Sequence, residues 1–348
     1  MDARVCRLYG QNDIRIETAP VAEPGPGEVL LALAAGGICG SDLHYYQDGG
    51  FGPIRVREPI ILGHEASGTV VAVGAGVTGV AEGDRVAINP SRPCGTCTFC
   101  QQDLPIHCLS MRFNGSAMRM PHEQGLFRDR MVVDAAQCVK VADGVSLAAA
   151  ACAEPLAVCL HARNQAGDLA GKRVLVTGAG PIGALCAAAA VEAGAAEVVV
   201  TDLQDFTLGV AAKMGATRTI NVATDAAALE PYAENKGSFD VAFECSAAAP
   251  AIKSAITCLR PRGRLVQVGV SGDVPIPLNM LVGKEIAYHG TQRFAGEFAE
   301  AVALIGAGRI DVSPIITGSF PLEQAVEAFN SAGDRSGAVK VQLSFSGE

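Results

Sequence analysis

Cys39, Ser41, Asp42 and His44 crowd into the stretch Gly36-Gly37-Ile38-Cys39-Gly40-Ser41-Asp42-Leu43-His44-Tyr45-Tyr46, and Leu62-Gly63-His64-Glu65 follows about twenty residues later. A thiolate, two imidazoles and two carboxylates in a Gly-rich neighbourhood are the ligand types of a zinc ion that keeps one coordination position open. A lone Cys is most often a small buried hydrophobe and a lone His a surface or satisfied core residue. The combination of Cys39, Ser41, His44, His64 and Glu65 is what argues for a catalytic metal site.

A second group, Cys94, Cys97, Cys100 and Cys108, has a different character. Two-residue spacings let successive thiolates converge on one ion, and four thiolates close a tetrahedral shell with no room for substrate. That is a structural zinc lobe, over about residues 90–110. Redox-active dithiols would more commonly present one Cys-x-x-Cys beside a helix.

The third group is Gly178-Ala179-Gly180-Pro181-Ile182-Gly183, which follows the apolar strand signal Lys172 to Thr177 and opens a helical run to Ala193. Glycines there permit a tight turn and close backbone approach, so that a pyrophosphate can rest on the helix N-terminus. The next strand signal, Glu197 to Thr201, ends at Asp202, where an acidic side chain can bond an adenosine ribose. A 2′-phosphate beside that carboxylate would be repelled by about 1–4 kcal/mol at contact distance. This amounts to roughly one to three powers of ten in affinity. Residues 203–212 hold no Lys or Arg to offset it, so NAD is expected over NADP.

Two further features are less specific. Glu154 lies in the apolar context Ala153-Glu154-Pro155-Leu156-Ala157, where an unpaired carboxylate is costly and a metal or its water would stabilise it; a helix N-terminus would do so too. Met111 to Asp129 is irregular and polar, with Arg112, Phe113, Ser116, Arg119 and His122 as substrate contacts or as an ordinary surface loop.

The elements that position these groups fall into two patterns. Val5–Tyr9, Ile14–Glu17, Val29–Ala35, Ser67–Val73 and Arg85–Ile88 are short apolar, β-branched runs separated by Pro and Gly, the pattern of a barrel-like all-β unit. Strand signals resume at Met131–Val133 and Cys138–Val141. Cys39 is expected in the loop after one strand, and His64 just before the next. From about residue 151 to 288 apolar strands alternate with helices, the pattern of a doubly wound parallel sheet. The tail from 289 to 348, with helices near 297–306 and 322–331 and a last strand at Val339–Leu343, is assigned back to the first domain (residues 1–150). A cleft between the two domains is then the expected pocket.

The chain's 348 residues suit two domains. Its net charge of −9, with 27 scattered Lys and Arg, argues against a nucleic-acid surface. The first twenty residues are too charged for a secretory leader, and no apolar run reaches the roughly 18 residues of a membrane span. Twelve cysteines without a leader fit metal ligation and buried thiols in the cytoplasm. An exposed edge in the cofactor domain is compatible with a homo-oligomer, dimer or tetramer.

In these motifs, taken in order, the chain resembles the zinc-dependent medium-chain alcohol and polyol dehydrogenases over essentially its full length. The resemblance implies an α/β protein with a GroES-like β-barrel catalytic domain and an inserted Rossmann domain. It implies that Cys39 and His64 bind the catalytic zinc, with Glu65 and Glu154 beside it, one ligating and the other holding the zinc-bound water. Ser41 and His44 would relay the proton through the cofactor ribose. Tyr45, Arg112, Phe113, Arg119, His122 and Arg293 would face the substrate. Leu203, Ser246, Val268, Gly269, Val270, Thr291, Gln292 and Arg293 would join the glycine loop and Asp202 around NAD.

Glu154 stands where many alcohol dehydrogenases have a cysteine, which points to the polyol branch. Retention of all four lobe cysteines weakens a pure sorbitol dehydrogenase reading. Residues 36–47, 87–95, 111–122 and 153–158 look most like the branch that oxidises L-idonate to 5-keto-D-gluconate. Sorbitol or xylitol is the neutral alternative, and a carboxylate substrate asks for a cation among Arg112, Arg119, His122 and Arg293; sorbitol-type enzymes look similar at Arg293, so Arg112 or Arg119 is favoured. A zinc- and NAD-binding redox sensor would be expected to have lost Cys39, His64 or the Ser41 and His44 pair; all are kept.

Overall fold

Val29 to Ala35 is an unbroken apolar run, and in the computed structural model it is the centre of a ten-residue strand, Glu28–Gly37, buried along almost its whole length. The structure describes residues 1–270 and 272–345, so residues 346–348 of the expected tail lie outside it. Glu28–Gly37 pairs antiparallel with Glu65–Val73, with Arg130–Asp134 and with the last strand, Lys340–Ser344. These belong to a seven-stranded sheet with Arg85–Ile88, Cys138–Lys140 and Ile316–Pro321. A smaller sheet of Asp2–Gly10, Asp13–Pro20 and Ile60–Ile61 shares its core, in which Leu31, Leu33, Ile60, Leu62, Phe127 and Phe329 are fully buried. Apolar alternation on short strands separated by turns gives this outcome because each strand can cover only one face.

The register of this sheet matters for function. Gly37 is opposite Glu65 on one side and Gln342 on the other. Ile38 donates its N–H to Val341 at 2.9 Å. Three strand ends far apart in sequence therefore meet at one edge of the barrel.

The second unit is a six-stranded parallel sheet in the spatial order Arg218–Asn221, Glu197–Asp202, Arg173–Thr177, Phe239–Glu244, Leu259–Gln267, Ala287–Gly290. The helices Ala153–Ala166, Pro181–Glu192 and Glu297–Gly306 share the core on one face; Ala249–Cys258 covers the other. Connectivity reverses between Arg173–Thr177 and Phe239–Glu244, and in such sheets ligands bind beyond the carboxyl ends of the strands at that switch point.

The structure differs from the sequence reading in a few places. Cys39 ends in no loop but is the N-cap of a helix, Gly40–Asp48. Asp42, three residues on, accepts the Cys39 N–H at 3.0 Å and so starts the helix; Gly49, in the left-handed region at φ 67°, stops it. Strands Arg218–Asn221 and Ile316–Pro321 carry too few apolar residues to signal themselves. The strand expected at Glu285–Tyr288 runs instead from Ala287 to Gly290, across the boundary drawn at 288/289. Beyond it, Phe298, Ala301 and Val302 pack into the same core as helix Ala153–Ala166, because the apolar stripe of Glu297–Gly306 faces that helix.

Candidate active site and metal centres

The meeting of strand ends brings Cys39, His64 and Glu65 together, their ligand atoms all within 4.8 Å of one another. His64 and Glu65 are buried and Cys39 is half-buried. Soft sulfur, imidazole nitrogen and carboxylate oxygen at one point fit zinc. The backbone makes room for them: a Cβ on Gly37 would lie 2.1 Å from Glu65 Oε2.

Two residues that sequence reasoning left out hold this group. Asp42, unassigned from the sequence, is fully buried and accepts N–H bonds from Cys39 at 3.0 Å and Gly63 at 3.2 Å. Its Oδ1 stands 3.7 Å from His64 Nδ1, which leaves Nε2 for the metal side. Lys340, 2% exposed, places Nζ 2.7 Å from each oxygen of Glu65 and 3.1 Å from the Ile38 carbonyl. The Gly36 to Gly40 motif gave no hint of Lys340, since the two lie 275 or more residues apart.

Electrostatics follow from burial and these charges. Burial disfavours the charged form of His64, but Asp42 and Cys39 outweigh it and hold its pKa well above the usual value. Glu154 is buried in the first turn of Ala153–Ala166, next to this group rather than among its closest donors; burial pushes its pKa up to about 7 although His64 pulls the other way. Burial likewise raises Asp42.

The second metal cluster forms as its spacing implies. The ligand sulfurs of Cys94, Cys97, Cys100 and Cys108 all lie within 4.8 Å of one another. Backbone N–H groups point at them: Cys97 to Cys94 Sγ at 3.3 Å, Cys94 to Cys108 Sγ at 3.1 Å and Ser110 to Cys108 Sγ at 3.3 Å. Donors aimed at sulfur favour thiolates, and those of Thr96 and Cys97 bring Cys94 down to about 6. Four convergent sulfurs fit a structural zinc.

At the switch point, Gly178 has φ 89°, and a Cβ there would meet Ser246 at 3.0 Å. A Cβ on Gly183 would lie 1.8 Å from the Gly178 carbonyl, whereas Gly180 faces open space. Gly180 caps helix Pro181–Glu192, with Pro181 and Ile182 in its first turn. Asp202 is oriented by N–H bonds from Ala179 (2.5 Å), Leu203 (2.7 Å) and Gln204 (3.0 Å). Gly178, Asp202, Leu203 and Ser246 line a cavity of about 800 Å³. Glu244, also missed from the sequence, is fully buried at the end of its strand and accepts from Thr177, Ser246, Ala247 and Gln267, fixing both sides of the switch point. Val268 and Gly269 donate to its carbonyl at 2.8 Å each, and Val270 is exposed. Thr291 Oγ1 is buried without a hydrogen-bond partner among the described residues, an orphan a ligand can satisfy. A glycine cradle, a capped helix N-terminus and this orphan fit a dinucleotide.

Residues expected to face substrate divide into two sets. Arg112 is bound to Glu123 through Nε at 2.6 Å and Nη2 at 3.1 Å, and Arg119 donates to the Ser110 carbonyl at 2.8 Å. Both are exposed at the surface. His122 is buried with both ring nitrogens engaged, Nε2 accepting from Arg57 N–H at 2.9 Å and Nδ1 facing the Arg119 carbonyl at 2.7 Å. Arg112 is thus paired with Glu123, and Arg119 spends Nη1 on the Ser110 carbonyl.

Arg293 is placed otherwise. Its guanidinium lies 4.2 Å over the Phe113 ring, which is itself 5.4 Å from the His64 ring. It is within electrostatic reach of Glu154 and Tyr45, and burial lowers its pKa. Gln292 and Arg293 also line a second cavity, of about 550 Å³, against Phe99, Met111 and Met118 of the cysteine-lobe side. Tyr45 is buried, with its hydroxyl accepting from Ala117 N–H at 3.3 Å. Ser41 is half-buried on the first turn of Gly40–Asp48; His44, one turn on, is exposed with Nδ1 2.8 Å from Asp48.

Comparison with known proteins agrees with this arrangement. Residues 25–143 match the alcohol dehydrogenase GroES-like domain and residues 181–307 the zinc-binding dehydrogenase family. The chain is 41% identical to L-idonate 5-dehydrogenase (NAD(P)(+)) of Escherichia coli (strain K12), covering 98% of each chain. The chain belongs to the zinc-dependent medium-chain dehydrogenases. This dehydrogenase is also 38% identical to sorbitol dehydrogenase of Gallus gallus, over 97% of its own length and 94% of that protein. A crystal structure of L-idonate 5-dehydrogenase from E. coli superposes with a TM-score of 0.95 at 39% identity, covering 99% of each chain. The dehydrogenase is thus a zinc-dependent enzyme that uses a nicotinamide cofactor, with two groups of side chains able to hold a metal, and the alternative of a non-catalytic sensor is set aside. No helix among the described residues is long and apolar enough to cross a membrane.

Proposed function

We propose that this dehydrogenase oxidises a secondary alcohol of a sugar acid, L-idonate to 5-keto-D-gluconate, with NAD⁺ preferred over NADP⁺. The observation that carries the substrate class is Arg293, a half-buried guanidinium over Phe113 and within electrostatic reach of Glu154, with Nη2 3.1 Å from Met118 Sδ and no ion pair among the described residues. A carboxylate is its natural bidentate partner. The identity with the E. coli enzyme supports the same reading.

The zinc, when bound, supplies Lewis acidity toward the substrate hydroxyl, and NAD⁺ takes the hydride. Cys39 and His64 hold the metal, Asp42 fixes the imidazole, and Glu65 or Glu154 completes the set. Glu154, with a pKa near 7, can accept or return a proton at neutral pH. Ser41 Oγ would accept the hydroxyl proton as it releases its own, and His44, exposed and beside Asp48, would pass that proton to solvent. Asp202, turned toward the cavity with no Lys or Arg in the ten residues after it, disfavours a 2′-phosphate.

The test is a steady-state comparison of L-idonate with sorbitol, xylitol and L-threonine, using each cofactor. The expected result is the highest kcat/KM for L-idonate with NAD⁺. Equal or better turnover of a neutral polyol would replace the sugar-acid assignment with the polyol one.

A further inference from the structure

Arg293 borders two spaces. Its neighbour Phe294 is buried in the core shared with helix Ala153–Ala166, and Arg293 itself has φ 49°, in the left-handed region that few long side chains adopt. The guanidinium lies 4.2 Å over the Phe113 ring, whose own neighbour is the His64 ring at 5.4 Å. Its Nη2 stands 3.1 Å from Met118 Sδ. A thioether is a weak acceptor and leaves the charge uncompensated. Met118 and Arg293 both line the cavity of about 550 Å³, and the cysteine lobe supplies another wall of it. Phe99 comes from the short helix Thr98–Gln101, and Ile106 and His107 from the turn Pro105–His107. The Phe99 and His107 rings meet edge-on at 6.3 Å, with Met111 completing the lining used here.

The volume is that of a small-molecule pocket and far exceeds a carboxylate. A sugar acid whose hydroxyl meets the metal centre and whose carboxylate meets Arg293 leaves it unfilled. Its lining is also wrong for a hydroxyl-rich chain, which would lose water there and find few partners. Two thioethers, an aromatic ring and a branched aliphatic side chain suit an aromatic group, because sulfur and rings attract one another and thioethers adapt to irregular shapes. We infer that the cysteine lobe builds a second subsite beyond Arg293, which takes the ring of an arylalkyl carboxylate while Arg293 binds its carboxylate in place of the sugar acid's. The competition rests on the sugar-acid reading of Arg293; the binding itself does not. The lobe then does more than hold the fold: Phe99 and Met118 decide which acids compete for the guanidinium.

Phenylbutyrate and butyrate are titrated calorimetrically into the zinc-loaded protein with NAD⁺ in excess, so that the cofactor cavity is filled. The expected result is that phenylbutyrate binds about tenfold or more tightly than butyrate, the scale of burying a ring. Phe99→Ala and Met118→Ala are each expected to cut that advantage to about twofold or less, and Arg293→Gln to weaken both acids. Phe99→Leu, which keeps an apolar side chain on the lobe, serves if Phe99→Ala does not fold. In steady state phenylbutyrate should raise KM for L-idonate and leave kcat unchanged. Equal affinity for the two acids overturns the proposal, and so does an advantage that survives both alanine variants, since the ring then binds elsewhere. Inhibition that lowers kcat overturns the shared use of Arg293. If phenylbutyrate binds as expected and L-idonate is not oxidised, the subsite stands and the sugar-acid reading falls; the opposite pair of results overturns the subsite alone.

Discussion

Asp42 shows how a residue with no assigned chemistry in the sequence acquires one from its neighbours. Its carboxylate caps a helix through Cys39 and faces His64 Nδ1, so two of the candidate metal ligands depend on it. Partners of this kind typically affect metal affinity or activity by 10–100-fold. Asp42→Asn keeps the shape and removes the charge; zinc affinity measured by chelator competition is expected to fall within that range, with one of two zincs per chain affected. Arg293 gives a second prediction. Arg293→Gln is expected to raise KM for L-idonate by about tenfold or more, the value of a lost charged contact. The kcat/KM for sorbitol should change far less, and a similar loss on both substrates would remove the carboxylate role.

Among elements, helix Glu297–Gly306 ties the tail to helix Ala153–Ala166. Glu297, in its first turn, accepts from His161 Nδ1 (2.9 Å), Asn164 (3.0 Å) and Ala295 N–H (2.8 Å). Burial raises its pKa, but these bonds prevail and bring it to about 2, from an ordinary 4.5. A carboxyl with a depressed folded-state pKa gives stability that is present above the ordinary value and lost as pH falls through the folded one. Glu297→Gln is therefore expected to cost about 1–2 kcal/mol at neutral pH. The difference from the parent protein should shrink between pH 4.5 and 2, as read by urea unfolding across that range. The cysteine lobe makes a separate element. Cys100→Ser is expected to remove one zinc per chain and lower the melting temperature while the Cys39 site keeps its metal.

At the scale of the whole molecule, the last strand joins Glu28–Gly37 to Ile316–Pro321 in the barrel sheet and delivers Lys340 to Glu65. Breaking a buried ion pair from one side leaves a bare charge and typically costs 3–5 kcal/mol. Lys340→Met is expected to destabilise by about that amount. Denaturant unfolding checks this, and a loss under 1 kcal/mol would show that Glu65 finds another partner. Much of this molecule was legible beforehand. Short spacings announced Cys94 to Cys108 and Gly178 to Gly183, because metal shells and phosphate turns are built from consecutive residues. Cys39, His64 and Glu65 were legible as types, and the strands around them as apolar runs. The partners of Arg112, Arg119 and His122 were not legible, because local sequence does not place Glu123, Ser110 and Arg57 beside them.

The sequence by itself therefore determined the candidate ligand types, the glycine loop, and the change from a barrel-like to a parallel-sheet pattern, each legible from local spacing. Only the tertiary structure decided which charges are spent and which are free. Glu65 is held by Lys340, Arg112 by Glu123, and Asp202 by three amides, while Arg293 lies over Phe113 without an ion pair among the described residues. The reason is physical: a charge pairs with whatever the folded chain brings within a few ångströms, and sheet register sets those distances between residues hundreds of positions apart.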